Sequence, residues 1–216
     1  MSTSISAIQA RKQQLRRELR RRRRALSPKQ QVAAARALFK RVVVSPLFRF
    51  SKRLTFTLAR DGEISTDLLM REAARRGKRC YLPVMHNTGS VYGRTRLTFR
   101  EWHSGVQLRK GRYGIPEPRL GRIGSTHALS VVFMPLVGFD ANCNRLGMGR
   151  AYYDHTFEFL LRSQRSRPAL VGLAHDCQRV DATLELAPWD VPLRAIVSDR
   201  SWYHPPPRTF DREATP

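Results

Sequence analysis

The sequence predicts an α/β fold: a three-layer α/β/α domain around a central, mostly parallel (mixed) sheet, opened by a pair of helices. Three observations carry this expectation. Residues 53–85 run strand, helix, strand, the order of a crossover unit. Residues 129–139 are almost continuously apolar, as in a strand buried on both faces. The chain has 216 residues, 41% of them hydrophobic, enough for one sizeable core. Residues 1–204 are expected to form that one domain, and 205–216, with Pro205, Pro206 and Pro207, a flexible tail.

The elements follow in order. Residues 7–25 read as a helix with Ile8, Leu15 and Leu19 on one face, closed by the consecutive arginines Arg20 to Arg24. Ser27-Pro28-Lys29-Gln30 starts a second helix: Ser27 can cap, Pro28 suits the first position, and Gln30 can complete a capping box. Val32, Ala35, Leu38, Phe39 and Val42 then recur at helical spacing. Leu54, Phe56 and Leu58 alternate as a strand over 53–59. Ser65-Thr66-Asp67 begins a helix that Gly77 stops, and 79–85 is the next strand. Residues 86–94 read as a loop, 95–100 as a strand, and 101–127 as irregular. After the apolar run, a glycine-rich turn leads into a helix expected over 148–164, with further strands at 169–175 and 194–198.

Composition narrows the function classes. No apolar run approaches the roughly 20 residues that span a bilayer, and the N-terminus lacks the apolar stretch of a signal peptide. A cytoplasmic location is expected. Cys80, Cys143 and Cys177 are odd in number and widely spaced, which predicts reduced thiols and no disulfide framework. The net charge of +23 attracts polyanions in general, nucleic acid among them, without naming one.

The stretch Arg145-Leu146-Gly147-Met148-Gly149-Arg150-Ala151-Tyr152-Tyr153-Asp154 follows the buried strand and opens a helix. Glycines there let backbone N–H groups approach an anion, and the helix start adds orphan donors. Arg145 and Arg150 flank the turn and suit phosphate oxygens. Asp154 suits a magnesium ion accompanying a nucleotide, and Tyr152 and Tyr153 offer ring faces to a heterocycle. By residue type alone, Gly147-x-Gly149 is equally a tight turn.

Phe133-Met134-Pro135-Leu136-Val137-Gly138-Phe139-Asp140, then Asn144 to Gly149, then Tyr152-Tyr153-Asp154 together resemble the hallmark of 5-formyltetrahydrofolate cyclo-ligases. Ordered matches extend this over roughly residues 10–200. They include Lys12-x-x-x-Arg16, Asp61-Gly62-Glu63-Ile64-Ser65-Thr66, Gly77 to Val84, Gly114-Ile115-Pro116-Glu117-Pro118, Ala174 to Gln178 and Trp189 to Leu193. The resemblance implies ATP-dependent cyclisation of 5-formyltetrahydrofolate, with or without a polyglutamate tail, to 5,10-methenyltetrahydrofolate, with ATP and Mg2+ bound. It implies nucleotide contacts at Lys12, Arg16 and Arg145 to Tyr153, that is Leu146, Gly147, Met148, Gly149, Arg150, Ala151 and Tyr152 between them. It implies folate contacts at Leu58, Glu63 and Met148 to Tyr152, catalytic roles for Arg145, Arg150 and Tyr152, and Asp154 as metal ligand. Arg20 to Arg24 are expected to stay mostly solvated. No obligate protein partner and no membrane are implied.

The chain departs from the family pattern where Arg150 and Ala151 stand in place of smaller residues, and where Arg194 replaces an Asp of some members. Two other readings follow: a folate-binding homologue with impaired catalysis, and a nucleic-acid-binding protein using the Arg-rich helix.

Overall fold

The computed structural model describes residues 2–85, 96–162 and 167–206, with side chains from residue 7 onward. Two helices open the chain, α1 (Ser2–Arg24) and α2 (Pro28–Val43). The expected capping box is formed: Gln30 N–H donates to Ser27 Oγ at 3.3 Å and Ser27 N–H to Gln30 Oε1 at 2.8 Å. Ala34, Ala35, Leu38 and Val42 make the buried face of α2, whereas Val32, expected among them, is exposed. Its position lies half a helical turn from Ala34, on the solvent side.

A short helix α3 (Pro46–Arg49) leads to β1 (Arg53–Thr55), α4 (Asp67–Arg75) and β2 (Arg79–Met85). Next come β3 (Leu97–Trp102), β4 (Leu108–Lys110), β5 (Pro116–Pro118), β6 (Ile123–Gly124) and β7 (Val131–Pro135). The chain continues through β8 (Gly138–Phe139), β9 (Arg145–Leu146), α5 (Tyr152–Phe157) and α6 (Phe159–Arg162). It ends with β10 (Ala169–Ala174), β11 (Ala195–Ser198) and β12 (Trp202–Tyr203).

The main sheet has eight strands in the order β12-β11-β10-β7-β1-β2-β3-β6. The run from β11 to β2 is parallel, and the edges β12, β3 and β6 are antiparallel. Strand alternation splits the core into two faces. Val131, Phe133, Val171 and Leu82 face α2 and α4, while Val132, Met134, Leu170 and Ile196 pack with Phe157 of α5. This is the expected three-layer arrangement. No described helix is long and apolar enough to cross a membrane.

Several expected boundaries shift. The strand expected over 53–59 ends at Thr55. Beyond it, Thr66 Oγ1 donates to the Thr57 carbonyl at 2.7 Å, so a side chain takes a group that a neighbouring strand would use. The apolar run 129–139 is two elements: β7, then a break where Val137 N–H donates to the Leu146 carbonyl at 2.8 Å and opens the β8–β9 hairpin. The helix expected from 148 starts at Tyr152, because Gly149 and Ala151 take φ of +85° and +49° and stop helical winding. The region 101–127 contains β4, β5 and β6, and β12 was not expected. The expected loop 86–94 and most of the expected tail, 207–216, lie outside the described residues. The cysteines are all free, and burial pushes the Cys80 and Cys143 thiols up to about 12 and about 11.

One contact seats α1 against the β8–β9 hairpin. Leu19, fully buried, packs with Val137, Leu146 and Leu184. A side chain at Gly138 would place its Cβ 2.3 Å from Leu19 Cδ1, so glycine there permits the helix to approach the β8–β9 hairpin.

Candidate active site

The β8–β9 hairpin is held from inside by Asp140, which is 1% exposed. Its Oδ1 accepts the N–H groups of Asn142 and Asn144 at 2.9 Å each, and its Oδ2 accepts Asn144 Nδ2–H at 2.9 Å and Leu184 N–H at 2.8 Å. This buried cap sets the departure of the Arg145–Ala151 loop from the sheet.

Helix α1 reaches that loop through Arg16, whose Nε–H donates to the Gly147 carbonyl at 2.8 Å. Burial lowers the Arg16 pKa, yet arginine stays cationic at any physiological pH. A Cβ at Gly149 would lie 3.4 Å from the Arg16 guanidinium, so the loop and the cation are in van der Waals range. Lys12 stands one turn earlier and is part-exposed. Of the two cations expected at the glycine loop, Arg16 touches it, and Lys12 stands four residues earlier on the same helix.

Arg145 turns inward. Its Nη1–H donates to the Val191 carbonyl at 2.7 Å, and its Nη2 pairs with Asp154 Oδ1. That same Oδ1 accepts the Val191 N–H at 3.1 Å. The sequence reading placed Arg145 on phosphate and Asp154 on metal as separate groups, and the fold joins them as an ion pair. Among the described residues no cluster of three or more His, Cys, Asp or Glu side chains gathers into a metal cage. Magnesium carried by a nucleotide needs only one or two carboxylates beside the phosphates. Both Asp154 contacts fall on Oδ1, so Oδ2 suits that smaller role.

Arg150 is exposed, and its guanidinium lies 5.8 Å over the Tyr113 ring. Arg112 covers the same ring at 5.1 Å, and the Tyr113 carbonyl accepts from Arg60. The Tyr113 and Tyr152 hydroxyls act on each other: Tyr152 first lowers the Tyr113 pKa, while burial first and then Tyr113 raise that of Tyr152. Tyr113 had no signal in the sequence beyond lying beside the Gly114–Pro118 match. Its placement depends on a turn with φ of +56° at Tyr113 itself. Met148 is exposed, and Leu146 is buried beneath the loop.

Ala151 sits in the left-handed region at φ +49° and ψ +23°, as the residue before α5. For an L-residue with a Cβ this costs about 1 kcal/mol. Ala151→Gly is therefore expected to raise stability by roughly 0.5–1 kcal/mol, the loss of strain outweighing the added freedom of the unfolded chain. The urea midpoint at unchanged slope measures this; an unchanged or lowered midpoint refutes it.

On the folate-expected side, Leu58 is half-buried against the α2–α4 core. Glu63 closes a turn in which its N–H donates to the Arg60 carbonyl at 2.8 Å and its Oε2 accepts the Arg60 N–H at 3.1 Å. Asp61 and Gly62 both have positive φ, +53° and +76°, the geometry that Asp-Gly favours in a mirror-image turn. Burial raises the Glu63 pKa, offset in part by Arg23. The Tyr153 hydroxyl is pushed well up by burial first and then by the Glu63 charge.

The expectation that Arg20 to Arg24 are mostly solvated holds for Arg21, Arg22 and Arg24, which are exposed, and is corrected at Arg23. Arg23 is 1% exposed, and Arg20, Arg23 and Arg24 all pair with Asp61. Burial alone would raise the Asp61 pKa, but these hydrogen bonds outweigh it and hold the carboxyl at about 2. Arg21 and Arg22 pair with Glu18 on the open side of α1. A run of five arginines hides this because only helical phase decides which one turns inward.

Arg194, one of the departures from the family pattern, is exposed between β10 and β11, and its N–H donates to the Leu170 carbonyl at 2.8 Å. Asp190 caps its own turn by accepting the Ala187 N–H at 2.8 Å.

Comparison with known proteins agrees across the chain. The model of the 5-formyltetrahydrofolate cyclo-ligase family matches residues 8–199. A 5-formyltetrahydrofolate cyclo-ligase of Escherichia coli (strain K12) is 36% identical over 182 residues, covering 83% of this chain and 96% of that protein. One from Mus musculus is 30% identical, covering 77% of this chain and 83% of its own. The structure of Aquifex aeolicus 5,10-methenyltetrahydrofolate synthetase superposes with a TM-score of 0.73 at 25% identity, covering 89% of this chain and 92% of that one.

Proposed function

The chain belongs to the 5-formyltetrahydrofolate cyclo-ligase family, and we propose that its active site is the space between α1, the Gly147–Asp154 loop and the Arg60–Glu63 turn. The chain is an ATP-using ligase that closes 5-formyltetrahydrofolate to 5,10-methenyltetrahydrofolate and releases ADP and phosphate.

In the proposed chemistry the formyl oxygen on N5 attacks the γ-phosphorus, and the bond to the ADP oxygen breaks. N10 then attacks the former formyl carbon. That oxygen leaves with the phosphate, and N10 gives up its proton as the ring closes. No step is a redox step, and none needs a covalent bond to the protein. The protein's share is placement and charge stabilisation.

Lys12 and Arg16 hold the nucleotide phosphates with the backbone N–H groups of Gly147 to Ala151. Arg145 and Arg150 stabilise the migrating phosphoryl group, the first from a fixed buried position, the second from an exposed one able to leave the Tyr113 ring. Tyr152 and Tyr153 line the heterocycle space, with Leu58 as its apolar wall. Glu63 accepts hydrogen bonds from the pterin. Asp154 Oδ2, backed by Arg145, supplies the protein oxygen for magnesium, which neutralises phosphate charge when bound. The observation that carries this reading is the Arg16–Gly147 contact, since it brings the basic helix and the glycine loop to one place.

The purified protein is expected to give an ATP-dependent rise in absorbance from the methenyl product, abolished by a magnesium chelator and restored by excess magnesium. Absence of the rise despite binding of 5-formyltetrahydrofolate selects the impaired homologue instead. A rate indifferent to chelation removes the metal role of Asp154.

A further inference from the structure

Arg23 closes α1 with a side chain that solvent does not reach, being 1% exposed. Its fork is used on three sides. Nε–H donates to the Asp61 carbonyl at 2.9 Å, and Nη2–H donates to Asp61 Oδ2 at 2.9 Å. Nη1–H donates to the Leu136 carbonyl at 3.2 Å, just past the end of β7. Nη2 also stands 3.5 Å from Glu63 Oε1. The Leu136 carbonyl is shared with Gln178, whose Nε2–H reaches it at 2.8 Å and the Val137 carbonyl at 3.0 Å. The backbone packs as closely: a Cβ at Gly62 would lie 3.0 Å from the Arg23 carbonyl oxygen.

A single buried cation thus joins three pieces of the site. One is α1, which carries Lys12 and Arg16. Another is the Arg60–Glu63 turn. The last is the segment from Leu136 into the hairpin that presents Arg145. Resting on the reading of Glu63 as a folate contact, we propose that Arg23 is a positioning residue that sets the place and the charge of Glu63 for the pterin. Only arginine has enough donors in a planar fork for these partners at once. A buried guanidinium without these acceptors would be strongly unfavourable, so the turn and the helix end hold each other.

Among the described residues, the charged and titratable groups around Glu63 are few. Arg23 faces it from α1, Arg60 and Asp61 from its own turn, and Tyr153 from α5. Burial favours the neutral carboxyl, and Arg23 is foremost among the charges opposing it. Removing that cation moves ionisation of Glu63 to higher pH, so the acid limb of activity moves upward.

The test is steady-state kinetics of Arg23→Met, Arg23→Lys and Glu63→Gln, with each substrate varied in turn. Arg23→Met is expected to raise KM for 5-formyltetrahydrofolate about tenfold, the loss typical of a hydrogen bond to a charged group, and to shift the acid limb of kcat/KM to higher pH. KM for ATP should change by less than about twofold, within the range of a change that removes no contact. Arg23→Lys should return the limb, since charge is restored, and leave the folate KM raised, since the fork is not. Should Arg23→Met fail to fold, Arg23→Lys together with Asp61→Asn carries the test, both expected to raise the folate KM selectively. Arg23→Lys in a Glu63→Gln background should raise that KM no further. Equal changes in both KM values with an unmoved limb overturn the proposal and leave Arg23 a general structural group. A Glu63→Gln enzyme with an unchanged folate KM overturns the underlying reading of Glu63 instead.

Discussion

Arg145→Ala is expected to lower kcat by about 10²–10³-fold, the scale of losing one preorganised group aimed at developing charge. The side chain is 9% exposed and held on two sides, by the Val191 carbonyl and by Asp154. In the proposed mechanism it is therefore already oriented, without reorganisation at the moment of phosphoryl transfer. The substitution has a second consequence. Asp154 keeps only the Val191 N–H at 3.1 Å and becomes a buried carboxylate without its cation. Breaking a buried pair from one side costs about 3–5 kcal/mol, so thermal stability should fall as well. Arg145→Lys separates the two effects. It keeps a cation near Asp154 but cannot reach Val191 in the same fork. Stability should largely return, while kcat stays well below the parent. A lysine variant with parental kcat would show that charge alone, and not its fixed orientation, serves the reaction. Single-turnover rates and thermal midpoints on the same samples measure both.

Phe133→Ala is expected to cost about 3–5 kcal/mol of stability, the range for removing a buried aromatic ring. Phe133 is 1% exposed on β7, between β1 and β10, and its ring stacks on Phe56 at 5.4 Å. Strands on both sides and helices above leave little room for the cavity to collapse. Against a typical total of about 5–15 kcal/mol, this loss should lower the thermal midpoint by roughly 6–20 °C. Activity per folded molecule should change far less, because Phe133 packs in the core layer facing α2 and α4, on the opposite side of the sheet from Phe157 of α5. A midpoint within about 2 °C of the parent, less than 1 kcal/mol by the same scale, would mean that the site repacks and the layer is not rigid.

Some of this molecule is legible along the chain. The capping box at Ser27 and Gln30 is a local exchange of two hydrogen bonds and needs nothing distant. The double burial of Val131 to Met134 follows from an unbroken apolar run, since a strand shows alternate residues to opposite faces. The motif from Phe133 to Asp154 and its ordered companions are enough to place the chain in its family. The glycine loop was visible as a loop, although its helix was expected to start too early. The positive φ of Ala151 cannot be read from alanine, which has no preference for that region.

Relations between distant residues were not legible. Arg145 and Asp154 are nine positions apart, yet their pairing depends on how the hairpin and α5 meet at Val191. Five arginines in a row are equivalent as sequence, and helical phase together with the Asp61 turn selects Arg23 for burial. Tyr113 joins Tyr152 across a long chain separation, through a turn whose conformation the residue types do not require. The sequence by itself determined the fold class, the family and the chemical groups available to the reaction, because those depend on local pattern and residue identity. Only the tertiary structure decided which cation is buried, which carboxylate is paired and which helix reaches the glycine loop. Those outcomes follow from packing geometry and from the high cost of leaving any buried charge without a partner.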